Sequence, residues 1–213
     1  MRISNRFEKH IVAAAAVAMG AAAAANAAVV YSGVINFACA VDTDGCYINV
    51  ETPLLSNGPA AGVPGWDVNP YNMSSGSGMG FFSPTGGGMV AATTSSTASN
   101  LATGTSIGAS SNFSSAASAV TFGSSAGNWQ YGTNNLVGFR FVSLAGTTHY
   151  GWMRFLMGSQ PATGNMVTRT VVDYGYESTA ATSILAGAGA VPAPGALALL
   201  GVAGLAGARR RRN

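Results

Sequence analysis

The chain has 213 residues, and its ten basic and seven acidic side chains are unevenly distributed. Seven of the ten basic side chains lie before residue 28 or after residue 208, so residues 28–190, here called the body, keep three arginines, no lysine and six carboxylates. The resulting net charge near −3 excludes a basic nucleic-acid footprint, and roughly 160 residues are enough for one domain with a hydrophobic core.

Residues 1–27 have the organisation of a secretory signal peptide. Three basic side chains precede an apolar run at residues 11–25, which ends in the small-residue tripeptide at 25–27. These are the charged region, the apolar region and the cleavage site of an export signal. A transmembrane helix is the alternative, but the run is weakly hydrophobic and shorter than the ~20 residues of a span. We expect cleavage before Ala28 and export of the body.

Two cysteines near the start of the body flank a turn sequence. Cys39 and Cys46 enclose Asp42-Thr-Asp44-Gly, and they are the only cysteines of the chain. In an exported chain this pair predicts a disulfide, whereas zinc would need further ligands. Asp42 and Asp44 are candidates for an irregular calcium site, the alternative being a solvated turn held by the disulfide. An EF-hand is excluded because Pro53 occupies its twelfth position.

Strand-like segments dominate the rest of the body. β-Branched and aromatic runs bounded by glycine-rich turns predict strands at 29–37, 47–50, 136–142, 149–157 and 166–176. Residues 91–118, rich in Ser, Thr, Ala and Gly, are either a surface excursion or short edge strands. We predict an all-β fold: a β-sandwich, for which a jelly roll is one arrangement, flanked by the signal helix and a C-terminal hydrophobic helix.

The aromatic side chains suggest one candidate ligand site. Flat rings on a β-sandwich face can stack on sugars, although core packing is the default for most of them. The candidates for a sugar-stacking platform are Trp66, Trp129 and Trp152, accompanied by Tyr71, Tyr131 and Tyr150. An exposed aromatic strip or an acidic cleft on the folded body would distinguish a binding function from a purely structural one.

Catalytic patterns are incomplete. Residues 123–127 match G-x-S-x-G around Ser125, but no helix pattern follows and His149 precedes Asp173 in the chain, opposite to the required order. Asp173 and Glu177 would lie about 13 Å apart on one strand, too far for a glycosidase pair. We therefore expect no catalytic residue and no cofactor, and interpret His149 as a structural polar residue. We expect the three arginines of the body to form ion pairs with its carboxylates; they are Arg140, Arg154 and Arg169.

The C-terminal segment 191–213 combines a proline motif, an apolar run and a basic end. The apolar run covers residues 195–208, and the uncharged stretch that begins at residue 186 is long enough for a marginal membrane span. Arginines directly after such a run resist translocation and stay in the cytoplasm. A nucleic-acid-binding tail is the alternative, which export disfavours. The motif residues are Val191, Pro192, Ala193, Pro194, Arg209, Arg210, Arg211 and Arg212.

These three parts, in this order, resemble the PEP-CTERM sorting signal of Gram-negative bacteria. Ala193 stands where that family usually has glutamate, which leaves the identity of the processing enzyme open. The resemblance implies an exosortase-type membrane enzyme as a partner and a transient attachment to the inner membrane. Cleavage near the prolines would then release or transfer the body to the cell surface or the extracellular space.

The body itself is similar to a group of uncharacterised secreted bacterial proteins that often carry such tails. The similar blocks are 44–49, 65–71, 137–141, 149–152 and 173–177. This resemblance implies a β-rich surface domain and carries no activity. We expect a non-enzymatic cell-surface or extracellular-matrix protein with domains at 1–27, 28–190 and 191–213. The alternatives are a carbohydrate-binding module, with extracellular polysaccharide as its partner, and a secreted hydrolase.

Overall fold

The computed structural model describes residues 28–190, with gaps at 75–77, 93–94, 116–117, 124–126 and 163–165. The predicted signal peptide, the predicted sorting segment and Ser125 therefore lie outside the described residues. Within them, no helix is long or apolar enough to cross a lipid bilayer. The prediction of an all-β fold is confirmed, because the described elements are antiparallel strands and one 3₁₀ turn at Ala60–Gly62.

The described strands are β1 (Val29–Tyr31), β2 (Phe37–Cys39), β3 (Cys46–Asn49), β4 (Leu54–Asn57), β5 (Asn69–Tyr71), β6 (Gly80–Phe82), β7 (Gly88–Val90), β8 (Ser106–Ile107), β9 (Phe113–Ser114), β10 (Ser118–Ala119), β11 (Asn134–Val142), β12 (Thr148–Met157), β13 (Arg169–Glu177) and β14 (Ile184–Leu185). A seven-stranded sheet has the order β1-β13-β12-β11-β7-β9, and β2 also pairs with β13. Smaller sheets are formed by β10-β6-β5, β14-β8 and β3-β4. The three longest strands thus lie next to each other in the large sheet.

The predicted first strand is divided in the structure. β1 and β2 both pair with β13, and the residues between them interrupt the pairing. Gly33 and Asn36 in this interruption have left-handed backbone angles, with φ of 70° and 49°. Such angles do not occur in a regular strand. The predicted strand at 29–37 is therefore two short strands on one edge, whereas the other four predictions each match a strand within three residues.

Both faces of the large sheet are buried, which explains the nearly continuous apolar runs of β11 and β12. Alternate residues of a strand point to opposite faces, and Val137 and Phe139 pack in the main core with Ile48 and Phe81 of two smaller sheets and with Val68, which forms an isolated bridge to Ile48. The opposite face carries a second core, whose buried members are Ile107, Leu136, Tyr150, Trp152, Ile184 and Ala186. Short strands in the 91–118 region contribute to this arrangement, since β8 pairs with β14 and β9 extends the large sheet.

Glycines on the large sheet make room for aromatic rings. Gly151 lies opposite Phe139 in the β11–β12 register, and Gly175 lies opposite Trp152 in the β12–β13 register. A methyl group at Gly151 would lie 2.8 Å from Phe139 Cε1, and one at Gly175 would lie 3.0 Å from Trp152 Nε1. The rings therefore lie across the glycine backbone, an arrangement that covers otherwise bare strand positions.

The predicted disulfide is confirmed, and a buried arginine fixes the loop that it closes. Cys39 and Cys46 are bonded, with their Cα atoms 5.2 Å apart. Arg169, which is opposite Cys39 in the β13–β2 register, is 1 % exposed and donates to Ala40 O at 2.7 Å and to Asn72 Oδ1 at 3.4 Å. Burial lowers the pKa of Arg169 to about 10. The disulfide loop is thereby attached to the large sheet.

Candidate functional site

Two of the three predicted sugar-stacking tryptophans belong to the hydrophobic cores. Trp129 and Trp152 are both completely buried. The indole N–H of Trp129 donates to Ala98 O at 2.8 Å, and that of Trp152 donates to Ala188 O at 3.0 Å. A ring without exposed surface cannot stack on a sugar, so the prediction is wrong for these two residues. Trp129 packs in the main core and Trp152 in the second core.

Trp66 is the exception, because it is only half-buried and belongs to a row of aromatic rings. Its ring makes a T-shaped contact with Tyr47, with centroids 5.1 Å apart, and a tilted contact with Phe82, with centroids 5.9 Å apart. Phe82 is 43 % exposed. We call Tyr47, Trp66 and Phe82 the aromatic strip. The sequence alone could not establish whether such a strip, which is partly exposed here, exists on the body.

A cavity of about 310 Å³ opens beside Trp66 and is called the Trp66 cleft. Its polar lining includes two carboxylates, Glu51 and Asp67, and its apolar lining includes Phe141, Val142 and Leu144. Val142 and Leu144 are 39 % and 75 % exposed. The cleft therefore combines an acidic side with an apolar, partly exposed side.

The side chain of Asn49 holds the two segments that form the cleft. Its Nδ2 donates to Pro64 O at 3.0 Å and to Gly65 O at 2.9 Å, and its Oδ1 accepts the Glu51 N–H at 3.0 Å. Asn49 is 1 % exposed. One buried amide thus connects the turn that carries Glu51 to the loop that carries Trp66, which fixes their separation.

Asp67 is a buried acid that lacks a cationic partner. It is 5 % exposed, and its Oδ2 accepts the Val50 N–H at 2.9 Å. Burial raises the pKa of Asp67 to about 7, against the opposing effect of the Val50 hydrogen bond, and the charge of Glu51 raises it further. Glu51 Oε2 accepts the Leu144 N–H at 2.8 Å. Among the described residues, the carboxylates of the cleft form no salt bridge.

The candidate calcium ligands Asp42 and Asp44 are occupied by hydrogen bonds of their own turn. Asp42 Oδ1 accepts the N–H groups of Asp44, at 3.2 Å, and Gly45, at 2.6 Å. Asp44 Oδ1 accepts the Tyr47 hydroxyl at 2.7 Å. The described residues contain no group of three or more His, Cys, Asp or Glu side chains that could hold a metal ion. These hydrogen bonds are those of a turn closed by the disulfide, and the calcium site stays a prediction.

The expected ion pairs of the body arginines form in one case of three. Arg154 Nε lies 3.0 Å from Asp173 Oδ1, which confirms that pair. Arg140 instead lies over the Phe113 ring, at 4.8 Å from its centroid. Arg169 binds a backbone carbonyl and an amide, as described above, so the expectation is wrong for these two arginines. A ring contact of Arg140 and hydrogen bonds of Arg169 to backbone and amide oxygens take the place of ion pairs, although the charge of Asp42 still acts on Arg169.

His149 and Glu177 have structural contacts. His149 Nδ1 is 2.8 Å from Glu177 O, and its Nε2 is 2.9 Å from Thr147 Oγ1. The Glu177 side chain accepts the Thr179 N–H through Oε1 at 2.9 Å. Both ring nitrogens of the histidine are thus engaged within the protein, in agreement with a structural polar residue.

A second cavity, of about 430 Å³, lies on the other face of the large sheet and is less suited to a ligand. Arg154 lines it, but Asp173 already neutralises this guanidinium. Asn100, another lining residue, uses its Oδ1 for the Leu136 N–H and its Nδ2 for Asn128 O. Asn100 and Arg154 thus already have partners within the protein.

The chain matches no protein-family model, no curated protein and no solved structure. The Trp66 cleft is therefore characterised by its geometry alone. Of its residues, Trp66 was a candidate from the sequence, and Asp67 was signalled only by its position next to Trp66. Glu51 lies on another segment of the chain and was not signalled, and the same is true of the strip residues Tyr47 and Phe82, which do not line the cleft themselves.

Proposed function

We propose that the chain is an exported, non-enzymatic protein of the cell surface or extracellular matrix. The observation that carries this proposal is the Cys39–Cys46 disulfide in a body that contains no lysine, since disulfides persist mainly in oxidising compartments. The signal peptide at 1–27 would direct export, and an exosortase-type enzyme would process the signal at 191–213. Each terminal segment would be helical, and the body between them would be a β-sandwich.

The sorting step is tested at the C-terminus of the protein recovered from the native host. Arg209–Arg212 should halt translocation and allow a membrane enzyme to cut near Pro192-Ala193-Pro194. Replacing all four arginines by serine should give a longer, unprocessed secreted product, as measured by mass spectrometry. Recovery of only intact protein ending at Asn213 from the unmodified chain would show that the tail is an anchor instead.

The non-enzymatic part of the proposal is tested with a panel of esters, peptides and glycosides. The purified protein should turn over none of them. Robust turnover that disappears in Ser125→Ala would replace this proposal by a secreted hydrolase that uses the G-x-S-x-G segment.

Carbohydrate binding at the Trp66 cleft is a second candidate function. The supporting observation is the half-buried Trp66 between an exposed aromatic neighbour and two carboxylates. Apolar C–H faces of a sugar pack on aromatic rings, and carboxylates accept hydrogen bonds from sugar hydroxyls. The cleft would make the body a polysaccharide-binding module of the matrix.

The sugar site is tested by glycan binding of the mature protein and two aromatic variants. Trp66→Ala should weaken binding at least about tenfold, which corresponds to ~1.4 kcal/mol. Tyr131→Ala is the matched control, because Tyr131 is half-buried and stacks on Phe122 away from the cleft. Absence of glycan binding, or an equal effect of both variants, would contradict this function.

A further inference from the structure

We propose that the Trp66 cleft selects a sugar that carries a protonated amino group, such as a hexosamine unit of a polysaccharide with free amines. This inference rests on the proposed carbohydrate binding and adds the chemical class of the ligand. It is argued from the charge of the cleft, from an unpartnered oxygen of Asp67, and from the apolar side of the cleft.

The first observation is a pair of cleft carboxyl groups without a cation, although Asp67, whose pKa burial raises to about 7, is partly protonated at neutral pH. Glu51 and Asp67 both line the cleft, while each arginine of the body is held elsewhere. Arg154 is paired with Asp173, Arg140 lies over Phe113, and Arg169 donates to Ala40 O. The body has no lysine that could replace them. Charges in a partly buried cleft attract an opposite charge more strongly than exposed ones, so a cationic ligand is favoured.

The second observation is the incomplete hydrogen bonding of Asp67. The residue is 5 % exposed, its Oδ2 accepts a hydrogen bond from Val50 N, and no described residue donates to its Oδ1. Because Oδ1 is not among the fully buried atoms without a partner, it is accessible to a donor group of a ligand. An ammonium group has three donors and a positive charge, so it can supply both missing interactions. A hydroxyl group could supply the hydrogen bond but not the charge.

The third observation is the apolar side of the cleft, which distinguishes an amino sugar from a simple cation. Trp66, Phe141 and Val142 line the cleft beside the two acids. A pyranose ring presents an apolar C–H face and a polar edge, so it can contact both sides of the cleft at once. A neutral sugar could donate hydrogen bonds to the carboxylates but would leave their charge uncompensated, and a uronic acid would be repelled by them. An amino sugar satisfies all three features.

The experiment compares three β-1,4-linked hexasaccharides, of glucose, N-acetylglucosamine and glucosamine, by calorimetric titration of the mature protein at pH 7. The three ligands share ring shape and linkage and differ in the group at carbon 2. The glucosamine oligomer should bind at least tenfold more tightly than the other two. A tetralysine peptide, which has amines without sugar rings, should bind at least tenfold more weakly than the glucosamine oligomer.

Three variants test whether the cleft carboxylates cause the preference. Glu51→Gln and Asp67→Asn each replace an ionisable carboxyl group of the cleft by a neutral amide of similar shape, and each should reduce the preference for the glucosamine oligomer at least threefold. Asp42→Asn is the matched control, because it makes the same charge change in the exposed turn of the disulfide loop. It should leave the preference unchanged. Circular dichroism would establish that each variant is folded. If one of the two cleft variants does not fold, the other still tests the inference.

The outcomes separate this inference from the function on which it rests. Equal binding of the three hexasaccharides would overturn the amino-sugar inference and retain carbohydrate binding. No binding of any hexasaccharide would overturn both. Comparable binding of tetralysine, or an equal effect of Asp42→Asn and the cleft variants, would show a general response to positive charge and would also overturn the inference.

Discussion

Asp67 and Asp173 show how the same buried side chain can have two different environments in one fold. Asp173 is paired with Arg154 at 3.0 Å and accepts the Tyr31 hydroxyl at 2.8 Å. Asp67 has a single backbone donor and a neighbouring acid, Glu51. Burial without a cation favours the neutral form of a carboxyl group. Asp67 is therefore the acid of the body whose protonation follows a change of pH near neutrality.

The stability of the protein should decrease as pH rises from about 4 to about 7. Burial raises the pKa of Asp67 from 3.8 to about 7, so in this interval the folded state binds more protons than the unfolded state. Linkage then lowers the free energy of unfolding with rising pH, by on the order of 4 kcal/mol at most. Asp67→Asn should flatten this dependence, as measured by urea unfolding at pH 5, 6, 7 and 8.

The groups around Asp67 determine how that measurement is interpreted. Glu51 faces it, and the charge of Asp67 contributes to raising the pKa of Tyr174 and Tyr176. Burial raises the pKa of both tyrosines, so they stay protonated between pH 5 and 8. An equal slope in the wild type and in Asp67→Asn would show that another group controls the pH dependence.

The environment of single residues was only partly predictable. The Cys39–Cys46 bond followed from composition, since the chain offers no other cysteine. Burial of Trp129 and Trp152 did not, because the sequence does not show which face of the body each ring meets. The pairing of Arg154 rather than Arg140 with an acid depends on the register of β12 with β13, which places Arg154 opposite Asp173.

At the scale of elements, the glycine–aromatic pairs of the large sheet are intolerant of even one added methyl group. A Cβ at Gly151 would lie 2.8 Å from both Phe139 Cε1 and Gly175 O. Gly151→Ala should destabilise the fold by about 1–3 kcal/mol through overpacking. The measurement is the free energy of unfolding in urea.

A second glycine supplies the matched control for this prediction. Gly62 has Ser56 Oγ as its nearest neighbour, at 3.7 Å, which is an ordinary contact. Gly62→Ala should change stability by no more than about 0.5 kcal/mol. Similar losses in both variants would argue that backbone flexibility, rather than space for the Phe139 ring, explains the glycine at 151.

The long strands were predictable because they are buried on both faces. Most positions of β11 and β12 are apolar or glycine, and their connection is a short turn at residues 143–147. The division of the first strand was not predictable, since Asn36 adopts a left-handed angle that the β-branched residues around it do not signal. The short strands of the 91–118 region were left open, because two-residue pairings produce no periodicity.

At the scale of the whole molecule, the last described residues complete the second core. Ile184 and Ala186 are buried there, and Ala188 O accepts the Trp152 indole N–H. A chain that spans residues 28–190 should therefore unfold like one that spans residues 28–213. A chain ending at Ser183 should lose at least about 3 kcal/mol of stability, from lost apolar burial and an unpaired N–H group.

The comparison of these two truncated chains is made by urea unfolding with tryptophan fluorescence. The shorter chain should also expose Trp152 and shift its emission to longer wavelength. Equal stability of the two chains would mean that residues 184–190 contribute nothing to the core. This result would also contradict the body boundary at residue 190.

The cleft is a property of the whole molecule, which is why the sequence did not predict it. Tyr47 belongs to β3, Phe82 to β6 and Val142 to β11, and these strands belong to three different sheets. Nothing in the local sequence of each strand indicates that they meet at Trp66. The sequence could identify Trp66 as a candidate. The position of the two carboxylates beside it depends on how the small sheets pack around the large one.

The placement of the three body arginines has a consequence for resistance to proteolysis. Arg140, Arg154 and Arg169 lie in β11, β12 and β13, the adjacent long strands of the large sheet. A trypsin-like protease needs several residues of flexible chain around a basic residue, and strands at the centre of a sheet open only with most of the fold. Because residues 28–190 contain no lysine, every trypsin site of the body is protected in this way. Cleavage by such enzymes would therefore follow global unfolding, and a folded body would persist among secreted proteases of this specificity.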